Sequence, residues 1–193
     1  MTITFRVEDS HDIDMPPPVP IEPWQMGALR EVLAENGERI GTDLIVPEYG
    51  NIDAPVFAWE ARTAMLAVAA IARCFDYEPG ALAIIEEAQF RCRRLRISRP
   101  ASNGDILLSL STNPDSAPEL NVSNSNAFAI LDLLGIDRES CGLIPLEQLQ
   151  DRLRDPAVPG RIAAEPGLAR YLPTLTQMAA VTSPSPKLRL VWA

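Results

Sequence analysis

The one histidine of the chain lies in a segment whose side chains could bind a metal ion. His11 is followed directly by Asp12 and, two residues later, by Asp14. Imidazole nitrogens and carboxylate oxygens can share a divalent cation such as zinc. The segment runs into three consecutive prolines, however, and ligands on a proline-rich connector hold coordination geometry poorly. We therefore interpret it as a solvated acidic loop, and we predict no metal site and no cofactor.

A single histidine also restricts the catalytic mechanisms that the chain can use. Serine and cysteine nucleophiles of the common type need a histidine within hydrogen-bond reach, and no Gly-x-Ser-x-Gly motif presents a serine. Neither of the common glycine-rich phosphate-binding motifs is present. The carboxylates of Glu86 with Glu87, or of Asp132 with Asp137, could act without histidine, but they resemble solvated surface charges. We predict no catalytic residue, and a non-enzyme is favoured.

Five arginines between positions 91 and 99 form the densest cluster of basic residues. They are Arg91, Arg93, Arg94, Arg96 and Arg99. Arginines projecting from one face of a strand can bind phosphate or an acidic partner. The aromatic side chains that stack on single-stranded bases are missing, because only Phe90 lies nearby. We favour pairing of these arginines with acidic residues in the first third of the chain.

The most site-like polar segment is 121–126, which precedes an apolar helix. Amides and hydroxyls beside the free N–H groups of a helix start can hold an anion. The same residue types cap helices and form strand-to-helix junctions, and this structural role is favoured. The alternative is a ligand site assembled from this segment and the arginine cluster. Its predicted residues are Asn121, Ser123, Asn124, Asn126, Arg94 and Arg96.

The net charge of the chain is concentrated in its first sixty residues. These hold twelve acidic residues against three arginines, which accounts for the whole net charge of −9. The negative electrostatic field of this region attracts a basic partner and repels nucleic acid and anionic membranes, so we expect neither nucleic acid nor a membrane as a partner. We predict another protein with a basic surface as the partner. The predicted partner-binding residues are Asp12, Asp14, Glu22, Glu31, Glu35 and Glu38.

Three functional hypotheses follow from this pattern. The first is a non-enzymatic cytoplasmic protein–protein interaction module of inhibitor, immunity or anti-defence type. The second is a small-ligand-binding protein or enzyme that uses the alternative site. The third is a structural subunit of a larger assembly, whose terminal strands pair at their edges; a homo-oligomer is compatible with all three. A cytoplasmic location is expected because no secretory signal is present and the three cysteines fit reduced, mostly buried thiols.

The helices and strands that the sequence predicts around these residues indicate an α+β fold. We expect one domain over 1–193, with about six helices on a small, mainly antiparallel sheet. This sheet is expected to contain a 94–111 hairpin with an Asn-Gly turn and both terminal strands. Residues 8–22 are predicted to form an acidic, proline-rich connector. A helix is expected from Pro23, with Trp24, Met26, Leu29 and Leu33 on its apolar stripe, and another over 54–75.

Overall fold

The computed structural model describes residues 2–9, 15–50, 54–102, 104–182 and 187–193. Within these residues the chain forms nine β-strands and seven α-helices. In chain order they are β1 (Thr2–Asp9), β2 (Val19–Ile21), α1 (Pro23–Ile40), β3 (Ile45–Tyr49), β4 (Phe57–Ala61), α2 (Val68–Ala72), α3 (Pro79–Phe90), β5 (Arg93–Arg99), β6 (Ile106–Pro114), β7 (Leu120–Ser123), α4 (Asn124–Leu133), β8 (Gly142–Pro145), α5 (Leu146–Arg154), α6 (Ala157–Ala164), α7 (Leu172–Ala179) and β9 (Leu188–Trp192).

These elements belong to two compact units, one of which is inserted in the sequence of the other. Strand β1 and the elements from β7 onward make the first unit, and the elements from β2 to β6 make the second. Each unit has its own sheet and its own hydrophobic core. The prediction of one domain over 1–193 stays a prediction.

The first unit contains a four-stranded antiparallel sheet in the order β7-β1-β9-β8. Strand β1 alternates strictly between buried and more exposed residues, so Ile3, Phe5 and Val7 share the core face. The rings of Phe5 and Trp192 lie 6.3 Å apart in this core. Helices α4 to α7 add the remaining apolar side chains, among them Leu149 and Leu175. Both terminal strands therefore lie inside this sheet, each between two neighbours.

The second unit contains a five-stranded antiparallel sheet in the order β2-β6-β5-β4-β3. One face carries the apolar side chains of alternate residues, including Leu95, Ile97 and Leu108. These pack with residues of α1 to α3, such as Leu33 and Ile84, in a single buried cluster. The opposite face of β4, β5 and β6 carries the polar residues described below.

The structure confirms the α+β class and the predicted hairpin. Strands β5 and β6 pair antiparallel, with Ile97 opposite Leu108, and Gly104 in their connection has a φ of 74°. The hairpin and the terminal strands occupy two different sheets, however, whereas the sequence predicted one. The reason is that the terminal strands pair with each other, Phe5 opposite Trp192, while the hairpin pairs with strands from the intervening chain.

The predicted helix over 54–75 is wrong. Residues Phe57–Ala61 form strand β4, and only Val68–Ala72 is α-helical before a short 3₁₀ turn at Arg73–Phe75. Strand β4 lies between β3 and β5 and is buried on both faces. A strand of this kind lacks the two-residue alternation that identifies half-buried strands, so it resembles a buried helix in sequence.

The connector predicted at 8–22 coincides partly with regular structure. Glu8 and Asp9 end β1, and Val19–Ile21 forms the short strand β2. Residues 10–14, and with them His11, Asp12 and Asp14, lie outside the described residues. No α-helix in the described part of the chain is both long enough and apolar enough to cross a bilayer.

Two of the three cysteines are more exposed than the sequence predicted. Cys74 is buried, but Cys92 and Cys141 are exposed. Cys92 lies in the turn after α3 and has a φ of 53°, and Cys141 lies in the loop before β8. Both are therefore in connections, where apolar neighbours in the sequence do not guarantee burial.

Candidate functional site

Helix α1 is fixed at both ends by local signals. Glu22 and Gln25 form a capping box at its start, where the backbone N–H of Glu22 donates to the Gln25 side-chain oxygen at 2.8 Å. Pro23 occupies the first helical position, which needs no N–H donor. At the other end Gly41 adopts a left-handed conformation, with a φ of 69°, and its N–H donates to the Gly37 carbonyl.

The two faces of α1 differ sharply in character. Leu29, Leu33 and Gly37 recur at four-residue spacing on the buried face, which holds the helix against the core of the second unit. The opposite side carries four exposed residues at the same helical periodicity. We call these residues the acidic face; they are Trp24, Glu31, Glu35 and Glu38.

Trp24 is the exposed tryptophan of the molecule. Its side chain is 54% exposed, whereas Trp59 and Trp192 are 5% and 3% exposed. The sequence placed Trp24 on the apolar stripe of the helix, and this assignment is wrong. Trp24 and Leu33 are nine positions apart. Because each helical residue rotates by about 100°, their side chains point about 180° apart around the helix axis. A helical wheel centred on the leucines would have identified it.

The three glutamates of the acidic face have no hydrogen bond or ion pair with the described residues. In contrast, Arg39, in the last turn of the helix, donates to the Asn36 side-chain oxygen at 2.6 Å. Of the six predicted partner-binding residues, Glu31, Glu35 and Glu38 lie together on the acidic face, whereas Glu22 precedes the helix as its N-cap. Asp12 and Asp14 lie outside the described residues.

A cleft of about 390 Å³ opens beside the C-terminal half of α1. Its two charged lining residues, Glu38 and Asp43, are both acidic. The side chain of Asp43 is held by the backbone N–H of Ile45, which donates to Oδ1 at 3.0 Å. The other lining residues are apolar or small, apart from Thr42: Leu33, Ala34, Gly37, Gly41 and Leu44.

The arginines of the alternative ligand site are occupied by carboxylates of the first sixty residues. Arg94 Nη1 lies 2.9 Å from Glu60 Oε2, and both side chains are 1% exposed. Arg96 donates from Nε and Nη2 to Glu48 Oε2 at 3.0 and 2.9 Å. These contacts agree with the charge compensation that the sequence favoured. Arg94 is therefore buried, and Arg96 is hydrogen-bonded to Glu48.

Glu60 is the centre of a buried polar network on this face of the second sheet. Its Oε1 accepts hydrogen bonds from the Ser111 hydroxyl and from Asn113 Nδ2, the latter at 2.8 Å. Ser111 Oγ in turn accepts from the backbone N–H of Asn113 at 2.9 Å. The sequence did not predict this network. The available signal was the two-residue spacing of polar side chains on each strand, which places Arg94 and Arg96 on one face of β5 and Ser111 and Asn113 on one face of β6.

The polar segment 121–126 belongs to the first unit and spans the β7–α4 junction. Asn121 is exposed on β7, and Ser123 precedes the helix without donating or accepting a side-chain capping bond. The Ser123 hydroxyl instead lies 3.2 Å from that of Ser125. Asn126 donates to the Tyr171 hydroxyl at 3.2 Å. Asn124, the first residue of α4, is half-buried.

A second cleft, of about 530 Å³, lies among α4, α5 and α6 of the first unit. Its charged residues are largely balanced within the protein. Asp132 pairs with Arg138, Arg161 donates to the Leu133 carbonyl at 3.3 Å, and Asp155 accepts from the backbone N–H of Ala157. This cleft therefore presents acidic and basic groups together, unlike the cleft beside α1.

Among the described residues, no group of three or more histidine, cysteine or acidic side chains is placed to hold a metal ion.

The chain matches none of the family models, curated protein sequences or solved structures with which it was compared. Its function is therefore inferred from its own residues.

Proposed function

We propose that the chain is a non-enzymatic, cytoplasmic protein–protein interaction module of inhibitor, immunity or anti-defence type. It binds a basic surface of another protein through the acidic face of α1. One observation carries this proposal: an exposed tryptophan shares a helix face with three glutamates that have no partner among the described residues.

The two residue types of the face supply different parts of the binding. Tryptophan is enriched among the residues that dominate interface energies, because its large ring buries much apolar area with few rotatable bonds. Glutamates steer a basic partner and raise its association rate, an effect that salt screens. Since Leu29 and Leu33 fix the helix from behind, little ordering cost remains for binding.

The other hypotheses have less support in the same residues. The arginines of the ligand-site alternative already bind Glu60 and Glu48. Strand addition to the second sheet is opposed by Pro20 and Pro47, which lie in its two edge strands and lack an N–H donor. The terminal strands, which the subunit hypothesis needs as edges, lie between neighbours in the first sheet.

A capture experiment with matched charge variants tests the proposal. The tagged chain is used to capture proteins from cells that naturally express it, at about 50 and about 500 mM NaCl. The test variants are Trp24→Ala and the triple variant Glu31→Gln, Glu35→Gln, Glu38→Gln. The matched control removes the same charge from exposed positions of the first unit: Glu139→Gln, Glu147→Gln, Glu165→Gln.

We expect a stoichiometric partner with the wild type and the control at low salt. The triple variant and Trp24→Ala should capture at least about fivefold less of it, and high salt should weaken capture by the wild type. Equal capture by both triple variants, or the absence of any stoichiometric partner, would overturn the proposal.

A further inference from the structure

The cleft beside the C-terminal half of α1 adjoins the acidic face, because Glu38 belongs to both. Its volume of about 390 Å³ is at the small end of ligand pockets, which span about 300–1,000 Å³. It therefore suits a single long side chain better than a large ligand.

The walls of the cleft match an aliphatic stem. Leu33, Ala34 and Leu44 present apolar surface, and Gly37 lies among them. A Cβ at Gly37 would lie 2.8 Å from the Thr42 carbonyl oxygen, so only glycine lets the chain turn back this closely. Arginine and lysine bury their methylene stems against such surfaces while their charged ends stay near water.

The charges of the cleft match a cationic end. Glu38 and Asp43 are both acidic, and the described residues that line the cleft include no basic side chain. The C-terminal end of a helix also carries partial negative charge, which favours a cation there. Asp43 is pre-oriented by the N–H of Ile45 at 3.0 Å, which leaves its second carboxylate oxygen available.

We propose that this cleft receives an arginine or lysine side chain of the partner protein and so determines which basic surfaces the chain accepts. The inference rests on the proposed function, since it places one contact of that interface. The methylene stem of this arginine or lysine lies along Leu33 and Leu44, and its charged end lies between Glu38 and Asp43.

A titration with small probes tests the cleft without a known partner. The isotope-labelled full chain is titrated with N-acetyl-arginine methylamide while its backbone amide NMR signals are followed. N-acetyl-citrulline methylamide is the neutral probe of the same shape. The test variants are Ala34→Leu, which fills the cleft at constant charge, and Glu38→Gln with Asp43→Asn, which keeps the acceptor for Ile45.

The matched controls are Ala163→Leu, at an exposed alanine of α6, and Glu139→Gln with Glu147→Gln, which removes the same charge from exposed positions of the first unit. We expect saturable shifts at 33–44 with the arginine probe, and at least about fivefold weaker binding of the citrulline probe. Both test variants should weaken arginine binding by a similar factor, and both controls should change it less than about twofold. Unchanged melting temperatures verify that the variants fold.

Shifts outside 33–44, or equal binding of the two probes, would overturn the inference. It would also be overturned if Ala34→Leu captured the partner as well as the wild type does, although the proposed function would then stand. Probe binding in the cleft without any captured partner would instead overturn the proposed function.

Discussion

Arg94 Nη1 and Glu60 Oε2 lie 2.9 Å apart, and each side chain is only 1% exposed. The two residues are on adjacent strands of the second sheet, β5 and β4, and Ser111 and Asn113 of β6 complete the hydrogen bonding of Glu60. A charge so deeply buried is tolerable only while its partner remains. Part of the acidic excess of the first sixty residues is therefore structural, and part remains exposed on α1.

Replacing Glu60 by glutamine should destabilise the protein strongly. The substitution keeps the size of the side chain but removes the negative charge that faces Arg94. We expect a loss of about 3–5 kcal/mol in the free energy of unfolding, measured by urea denaturation. Arg154→Gln is the matched control, because the Arg154–Asp151 pair is 72% and 70% exposed, and it should cost less than about 1 kcal/mol. Equal losses in the two variants would contradict this account of Glu60.

The buried carboxyl of Asp115 should make stability depend on pH. Burial raises the pKa of Asp115 above its ordinary value, against the lowering effect of hydrogen bonds from the backbone of Thr63 and Ala64. The proton is therefore held more tightly in the folded state. The resulting stabilisation is complete below the ordinary pKa and is lost as the pH rises through the raised pKa.

The comparison with Asp115→Asn isolates this effect, because asparagine does not titrate. The difference in unfolding free energy, wild type minus variant, should fall as the pH rises from below the ordinary pKa of 3.8 through the raised pKa of the folded state, and then level off. A difference that rises with pH would contradict the direction of the pKa shift.

The three cysteines should react at two distinct rates. Burial raises the pKa of the Cys74 thiol, whose Sγ lies 3.6 Å from the Ala70 carbonyl, so it forms little thiolate. Cys92 and Cys141 are exposed. With a chromogenic disulfide reagent at about pH 8, the native protein should release two equivalents quickly and the third only on unfolding. Cys74→Ala should leave the fast phase unchanged, and three fast equivalents would refute the burial of Cys74.

Gly142 should not tolerate alanine. A Cβ there would lie 2.3 Å from Cζ2 of Trp192, its partner on β9, and this indole is also fixed by a hydrogen bond from Nε1 to the Glu139 carbonyl at 3.0 Å. We expect Gly142→Ala to cost about 1–3 kcal/mol in urea denaturation. Gly160→Ala, in helix α6 with open space around its Cβ, should instead stabilise by up to about 1 kcal/mol. Equal effects of the two alanines would contradict the close packing of Trp192 on Gly142.

The sequence predicted elements well where a local signal acted alone. The Asn-Gly sequence and the alternating apolar residues of 106–110 sufficed for the β5–β6 hairpin, and the alternation of Ile3, Phe5 and Val7 sufficed for β1. Strand β4 was missed because both of its faces are buried, which removes the alternation. Such a strand forms because it pairs with β3 and β5, and the local sequence pattern did not identify it.

The candidate site shows the same division. The glutamates of α1 were found from the charge count, because charge is additive along the sequence. The exposure of Trp24 was missed because the tryptophan was judged by its type rather than by its angle to Leu29 and Leu33. The cleft at Glu38 and Asp43 depends on the chain turning back at Gly41, which only the folded backbone reveals.

The central claim, that the acidic face of α1 contacts a basic protein, is tested most directly by photocrosslinking in cells that naturally express the chain. Gly27 on α1, where an added Cβ would meet open space one turn from Trp24, and Ala163 on α6, which is exposed, are replaced one at a time by p-benzoylphenylalanine. We predict a discrete crosslinked protein at position 27 that is absent at position 163 and disappears when Trp24→Ala is added. Crosslinking of the same proteins at both positions, or of none at position 27, would contradict the claim.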